Sequence, residues 1–194
     1  MWTLPNFLSF FRIAIIPVLV YLLTFTGNFA ALSAGLLFLV ASLTDYLDGY
    51  LARRNHSVSN LGKMLDPLAD KLMVVAALIM LAAMDRPGQP EVPAWLVVLV
   101  VTREIAVTVL RGIALSEGIV MEAEELGKYK FFLQVFAVFA LMIHYPHWGI
   151  DFYSVGVYCL LLAAVSALRT GVDYHVKFFR LLQRRTGPGR LPRN

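Results

Sequence analysis

Four aspartates lie close together in the first half of this 194-residue chain, at the ends of two strongly apolar segments. A carboxylate in such a place is costly unless a cation uses it. Carboxylate oxygens suit hard divalent cations such as Mg²⁺ better than zinc or copper. The sequence therefore predicts a divalent-metal site formed by Asp45, Asp48, Asp66 and Asp70.

The aspartates and the small residues near them recur at the spacing of residues on one face of a helix, in two successive segments. On the first helix the positions are i, i+3, i+4 and i+7, and on the second they are i, i+4 and i+8, so each set lies along one side. Two antiparallel helices with a short connection would aim both sides at a shared volume. The residues are Asp45, Asp48, Gly49 and Ala52 on the first helix and Gly62, Asp66 and Asp70 on the second.

Small residues and one arginine accompany the aspartates. Gly49, Ala52 and Gly62 leave room for a bulky group to lie against the helix backbone. Arg53 can reach a phosphate as a planar fork. Together with the carboxylates, these residues predict a nucleotide-diphosphate site held through metal. Close helix packing in lipid is the alternative explanation for the small residues.

The composition indicates an integral membrane protein. Hydrophobic residues make up 59% of the chain and charged residues 15%, below the roughly 25% usual in soluble domains. Because a spanning helix needs about 20 mainly apolar residues, we predict an all-α bundle of six spans, with residues 1–194 as one domain. No cleaved signal peptide is expected. The spans are 4–25, 29–50, 64–84, 92–113, 129–147 and 150–172, followed by a basic tail at 176–194.

The distribution of lysine and arginine between the spans predicts the orientation. Eleven of these residues lie in the second-to-third connection, the fourth-to-fifth connection and the tail, whereas the other three connections carry only Arg86. Both termini and the aspartates should therefore face the cytoplasm, in the inner (cytoplasmic) membrane. Anionic headgroups attract each nearby basic residue by roughly 1 kcal/mol. The tail thus favours membrane anchoring over nucleic-acid binding.

The run from Asp45 to Asp70 reads Asp-x2-Asp-Gly-x2-Ala-Arg-x8-Gly-x3-Asp-x3-Asp. It resembles the signature of the CDP-alcohol phosphotransferase family, and all eight fixed positions match. The resemblance implies a six-helix homodimeric membrane enzyme whose aspartates hold two Mg²⁺ or Mn²⁺ ions beside CDP-diacylglycerol. It also implies that Asp70 takes the proton of the attacking alcohol. The CDP-lipid contacts that it implies are Asn6, Ser9, Gly49, Ala52, Arg53, Ser59 and Gly62.

Three further stretches resemble the bacterial branch of the family whose acceptor is sn-glycerol 3-phosphate. They are residues 5–17, 103–111 and 127–134. Two residues depart from that branch, because Ser9 and Phe131 each stand where threonine is usual. Serine keeps the hydroxyl group, whereas Phe131 removes it. The residues expected at the acceptor's phosphate are Arg103, Arg111, Lys128 and Lys130.

Arg103 gives this expectation independent physical support. It lies about ten residues into an apolar segment, roughly 15 Å from its outer end, where a lipid-facing charge would be expensive. It should therefore point into the bundle, with Arg111 broadly on the same side. An ion pair with Glu104 or an aspartate is the alternative role for Arg103. For Lys128 and Lys130 the alternative is interfacial snorkelling.

Other functions fit parts of the pattern. The same fold could use phosphatidylglycerol, serine or inositol phosphate as the acceptor. Intramembrane aspartates also mark ion paths, so a divalent-cation transporter is a candidate from another class. Transporters usually place ion sites near the bilayer midplane, whereas these aspartates lie at the ends of apolar segments. A non-catalytic scaffold gives no reason for four grouped carboxylates.

Overall fold

The computed structural model describes residues 4–54, 60–84, 91–117, 126–146 and 149–186. It describes only the backbone of residues 4–9, 45–54, 60–70, 126–128 and 184–186. The described helices are α1 (Leu4–Leu23), α2 (Asn28–Arg54), α3 (Asn60–Ala83), α4 (Ala94–Ser116), α5 (Leu126–Ile143) and α6 (Phe152–Thr186). The predicted all-α class is confirmed, with six helices in this part of the chain.

Two helices run beyond the apolar residues from which they were predicted. The second helix continues through the aspartate motif to Arg54, as the stripe of spaced residues required. The sixth helix continues past residue 172, where the apolar segment ends, and reaches Thr186. The first part of the basic tail is therefore helical.

Local chemistry explains where two of the helices begin. Pro93 immediately precedes α4, with φ −59° and ψ 112°, so the chain is extended just before the first helical turn. Asp151 precedes α6, and its Oδ1 accepts hydrogen bonds from the backbone N–H of Tyr153 (3.1 Å) and of Ser154 (3.3 Å). These are donors that an isolated helix would leave unpaired. The Ser154 hydroxyl donates to the other oxygen of the same carboxylate.

The helices pack around a shared apolar core. Helix α5 packs most extensively against α6, α1 packs against α2 and α3, and α4 packs against α6. Gly156 makes the close α5–α6 approach possible, because a Cβ at this position would lie 2.7 Å from Cγ of Leu141. The fully buried side chains of this core include Leu19, Phe38, Met73, Leu78, Leu96, Leu141 and Leu160.

A second, smaller apolar cluster joins α4 to the distal half of α6. Its buried members are Val107, Leu110, Ala114, Tyr174 and Phe178. This cluster holds the extended part of α6 against α4. It therefore anchors the helical part of the tail to the bundle.

Large apolar side chains also cover much of the outer surface. Phe29 is 85% exposed, Val98 63% and Val172 62%. Among the described residues, the stretch Phe152–Gln183 is long and apolar enough to cross a membrane, judged by length and composition. Four other helices contain shorter apolar stretches: Phe10–Leu23, Asn28–Thr44, Lys71–Ala83 and Tyr129–Ile143.

Candidate active site

The four aspartates of the predicted metal site lie on two helices. Asp45 and Asp48 are one turn apart near the end of α2, and Asp66 and Asp70 are one turn apart in the first half of α3. The helical geometry on which the stripe argument depends is confirmed for both segments. The side chains of these four aspartates lie outside the described part of the structure. The metal site therefore stays a prediction, although the backbone of its four residues is helical as expected.

The residues predicted to contact the CDP-lipid are spread over the same part of the fold. Asn6 and Ser9 belong to α1, and Gly62 belongs to α3, in each case with only the backbone described. Gly49, Ala52 and Arg53 follow the aspartates along α2. Ser59 lies outside the described residues.

An apolar groove lies between α1 and α2. It has a volume of about 210 Å³, and one of its lining residues is Thr44, directly before Asp45 in the chain. The Arg12 side chain lines this groove and is only 3% exposed. The groove thus combines an apolar lining with one buried cation. Its other lining residues are Phe11, Ile15, Leu37, Val40 and Ala41.

Arg103 points into the bundle, as its position predicted. Its Nε donates a hydrogen bond to the backbone oxygen of Ala167 (2.7 Å), and Nη2 donates to Oγ1 of Thr170 (2.6 Å). Its Nη1 lies 3.0 Å from Oε1 of Glu104. The guanidinium group therefore ties α4 to α6. The ion pair with Glu104 that was kept as an alternative is formed.

Glu104 is the centre of a charge cluster that the sequence did not reveal. Besides Arg103, its carboxylate accepts a hydrogen bond from Nζ of Lys130, which comes from α5. Nζ of Lys71, which comes from α3, lies 3.8 Å from the other carboxylate oxygen. Lys71 also donates to Oγ1 of Thr108, whose hydroxyl donates to the backbone oxygen of Glu104 (2.6 Å).

The members of this cluster are mostly buried. The side chains of Lys130, Arg103 and Glu104 are 7%, 11% and 12% exposed, and that of Lys71 is 27% exposed. Within the described part of the chain, three cations here face one carboxylate. Taking charges out of water is expensive, so each of them must be held by good geometry and further hydrogen bonds. We call the group of Lys71, Arg103, Glu104 and Lys130 the Glu104 cluster.

The four residues predicted to hold the acceptor's phosphate do not all meet. Arg103 and Lys130 are joined through Glu104, whereas Arg111 is exposed. An α-helix turns by about 100° per residue, so side chains eight residues apart differ by about 80° in direction around the helix axis. Arg111 therefore points to a different side of α4 from Arg103. Lys128 begins the same helix as Lys130, but its side chain lies outside the described residues. The phosphate role of all four stays a prediction.

Sequence reasoning missed Lys71 and Thr108 as members of the same site. One signal was present, because Lys71 directly follows Asp70. Thr108 stands four residues after Glu104, so the two share a helix face. Phe131, the departure from the family motif, packs against the main apolar core beside Phe132. At this position the aromatic ring therefore contributes to the core.

Comparison with known proteins gives one family match and several relatives. Residues 2–169 match the family described as CDP-alcohol phosphatidyltransferase. A Bacillus subtilis (strain 168) protein, 36% identical over 94% of this chain and 98% of its own length, is named CDP-diacylglycerol–glycerol-3-phosphate 3-phosphatidyltransferase. Proteins with the same name from Rickettsia typhi and Rickettsia prowazekii are each 38% identical. They cover 90% and 88% of this chain, and 96% and 92% of their own lengths.

Proposed function

This chain belongs to the CDP-alcohol phosphatidyltransferase family, and from that premise we propose that it transfers the phosphatidyl group of CDP-diacylglycerol to sn-glycerol 3-phosphate. The products are phosphatidylglycerol phosphate and CMP, so the enzyme acts in phospholipid biosynthesis. The observation that carries the choice of acceptor is the Glu104 cluster. Among the described residues it brings three cations together, which suits the phosphate group that glycerol 3-phosphate brings and that a neutral alcohol lacks.

The aspartates of α2 and α3 are proposed as the metal ligands. Asp45, Asp48, Asp66 and Asp70 offer hard oxygen donors on two helices, which suits Mg²⁺ or Mn²⁺. Bound ions would neutralise the diphosphate of the CDP-lipid and stabilise CMP as it leaves. The Asp70 carboxylate accepts the proton of the attacking hydroxyl.

The groove between α1 and α2 supports the lipid part of the proposal. Its apolar lining suits the acyl and glycerol portions of CDP-diacylglycerol, and the buried cation of Arg12 suits a phosphate of the same lipid. Thr44, which lines the groove, directly precedes the aspartate motif in the chain. Asn6, Ser9, Gly49, Ala52, Arg53, Ser59 and Gly62 are the proposed contacts to the rest of the donor.

We place the protein in the cytoplasmic membrane with six spans and both termini in the cytoplasm. The basic connections and tail support this orientation. The many exposed apolar side chains support a lipid-facing surface, because soluble proteins seldom expose large contiguous apolar patches. A homodimer is part of the proposal, and mass measurement in nanodiscs would test it.

The decisive experiment supplies purified protein with CDP-diacylglycerol and Mg²⁺ or Mn²⁺, and measures CMP release after glycerol 3-phosphate is added. Acceptor-dependent CMP release with formation of phosphatidylglycerol phosphate is expected. A panel of phosphatidylglycerol, serine and inositol phosphate, with chromatography of the products, tests the rival acceptors. Turnover with one of these and none with glycerol 3-phosphate would replace the proposed acceptor.

The transporter hypothesis has its own readout. Proteoliposomes loaded with a metal-sensitive dye report divalent-cation flux, and the same vesicles report CMP release. The proposed enzyme releases CMP and leaves the dye signal unchanged. Metal flux without CMP release would favour transport.

A further inference from the structure

We propose that Glu104 is a positioning residue for the acceptor, and that Lys71 is a further cation of the acceptor's phosphate site. Glu104 gathers cations from neighbouring helices to one point, beside the helix that carries Asp70. This inference rests on the proposed function, because it assigns a detailed role within the same site. It adds Lys71, which lies outside the sequence motifs, and it gives Glu104, within the stretch 103–111, a role of its own.

The carboxylate of Glu104 contacts cations on two other helices and one on its own helix. One oxygen contacts Arg103 and Lys130, and the other faces Lys71 at 3.8 Å. Lys130 belongs to α5 and Lys71 to α3. Arg103, on the same helix as Glu104, in turn donates hydrogen bonds to two residues of α6. The two oxygens therefore hold cations on different sides. A phosphate bound beside Glu104 would lie within reach of cations from three directions.

Lys71 connects the cluster to the carboxylate helix. It directly follows Asp70, and successive residues of an α-helix point about 100° apart. The contacts of Lys71 Nζ with Thr108 and Glu104 therefore restrain the rotation of α3 about its axis. That rotation sets the direction in which Asp66 and Asp70 project. Lys71 thus links the proposed phosphate site to the helix that carries the proton-accepting carboxylate of Asp70.

Two roles for Glu104 make opposite predictions. If Glu104 only balances charge, removing its charge leaves the cations better able to attract phosphate, so KM for glycerol 3-phosphate falls and kcat is unchanged. If Glu104 positions the cations, they separate without it and the acceptor hydroxyl loses its alignment. In that case kcat falls and KM for glycerol 3-phosphate rises, because the cations that bind its phosphate no longer converge.

The first variant is Glu104→Gln, which keeps the shape of the side chain and removes its charge. We expect kcat with glycerol 3-phosphate to fall roughly 10- to 100-fold, the size of effect that a misplacement of about 1 Å produces. KM for CDP-diacylglycerol should be unchanged. Glu117→Gln is the matched control, since it removes an exposed carboxylate just beyond the end of α4.

Lys71→Met and the double variant test the coupling. Because both residues act through one contact, the double variant should lose little more kcat than the more affected single variant. Thr108→Val provides a second test that changes no charge, since it removes the hydroxyl that accepts from Lys71. A smaller fall in kcat and a smaller rise in KM for glycerol 3-phosphate are expected than in Glu104→Gln.

Three results would overturn the inference. One is a lower KM for glycerol 3-phosphate in Glu104→Gln with kcat unchanged. Another is additivity of the Lys71 and Glu104 effects. The third is a Glu104→Gln protein that fails to fold while Thr108→Val is fully active, because Glu104 would then be structural. Failure of the proposed function is separate, since wild-type protein would then show no CMP release with glycerol 3-phosphate.

Discussion

The Nζ atom of Lys130, on α5, donates a hydrogen bond to Oε1 of Glu104, on α4, in a part of the bundle where both side chains are largely buried. Because Arg103 and Lys71 face the same carboxylate, this contact belongs to a cluster in which, among the described residues, three cations meet at one carboxylate. Such a cluster is suited to an anionic group of the substrate. The contact therefore gives a direct test of the acceptor site.

Replacing Lys130 with methionine should weaken binding of the acceptor. A hydrogen bond to a charged group contributes about 1.5–3 kcal/mol, so KM for glycerol 3-phosphate should rise roughly 10- to 100-fold. KM for CDP-diacylglycerol should stay constant. Steady-state kinetics of CMP release measure both quantities. Lys177→Met, at an exposed position on α6, is the control, and equal effects of the two variants would argue against a phosphate role.

Replacing Asp70 with asparagine should nearly abolish turnover. The amide cannot accept the proton of the acceptor hydroxyl, and general-base catalysis contributes about 10²- to 10⁴-fold to rate. The rate of CMP release at saturating substrates is the measurement. Asp173→Asn removes an exposed carboxylate from α6 and should keep full activity. Wild-type turnover by Asp70→Asn would remove Asp70 from the mechanism.

Divalent metal should stabilise the folded protein as well as support turnover. A ligand that binds only the native state raises stability by about 2.7 kcal/mol at 100 times its Kd. Mg²⁺ should therefore raise the unfolding temperature of detergent-solubilised protein, and chelation should reverse the rise. In Asp48→Asn the rise should be reduced. A rise of equal size in both proteins would indicate that the metal binds elsewhere.

Gly156→Ala tests the close packing of α5 and α6. The added Cβ would lie 2.7 Å from Cγ of Leu141 and 3.0 Å from its backbone nitrogen, so a helix must shift. Overpacking of this kind costs about 1–3 kcal/mol, and the unfolding temperature should fall. Gly112→Ala is the control because nothing lies within 4 Å of its added Cβ. Similar unfolding temperatures for the two variants would contradict the observed packing.

The hydrogen bonds that Asp151 accepts at the start of α6 predict that the stability of the folded protein depends on pH. Hydrogen bonds from Ser154, with a further one from the Tyr153 backbone, lower the pKa of Asp151 below its usual value of 3.8. Since the folded-state pKa is the lower one, the stabilisation is present above pH 3.8 and is lost as pH falls through the folded-state pKa. Thermal unfolding of wild type and Asp151→Ala should differ at pH 7 and converge in acid. A pH-independent difference would contradict this.

The sequence by itself determined the all-α class, the helical faces that carry the aspartates, and the inward direction of Arg103. These follow from local periodicity and from the cost of placing a charge in an apolar segment. It also determined family membership, because the motif has fixed gaps along one stretch of chain.

Only the tertiary structure decided which charges meet. Lys71 contacts a residue 37 positions away, Glu104 one 26 positions away, and Arg103 one 67 positions away. Helical periodicity assigns each residue to a face of its own helix, but the rotation and depth of that helix depend on packing against its neighbours. For this reason Glu104, considered only as a partner of Arg103 in the sequence, is the centre of the cluster, while Arg111 on the same helix is exposed.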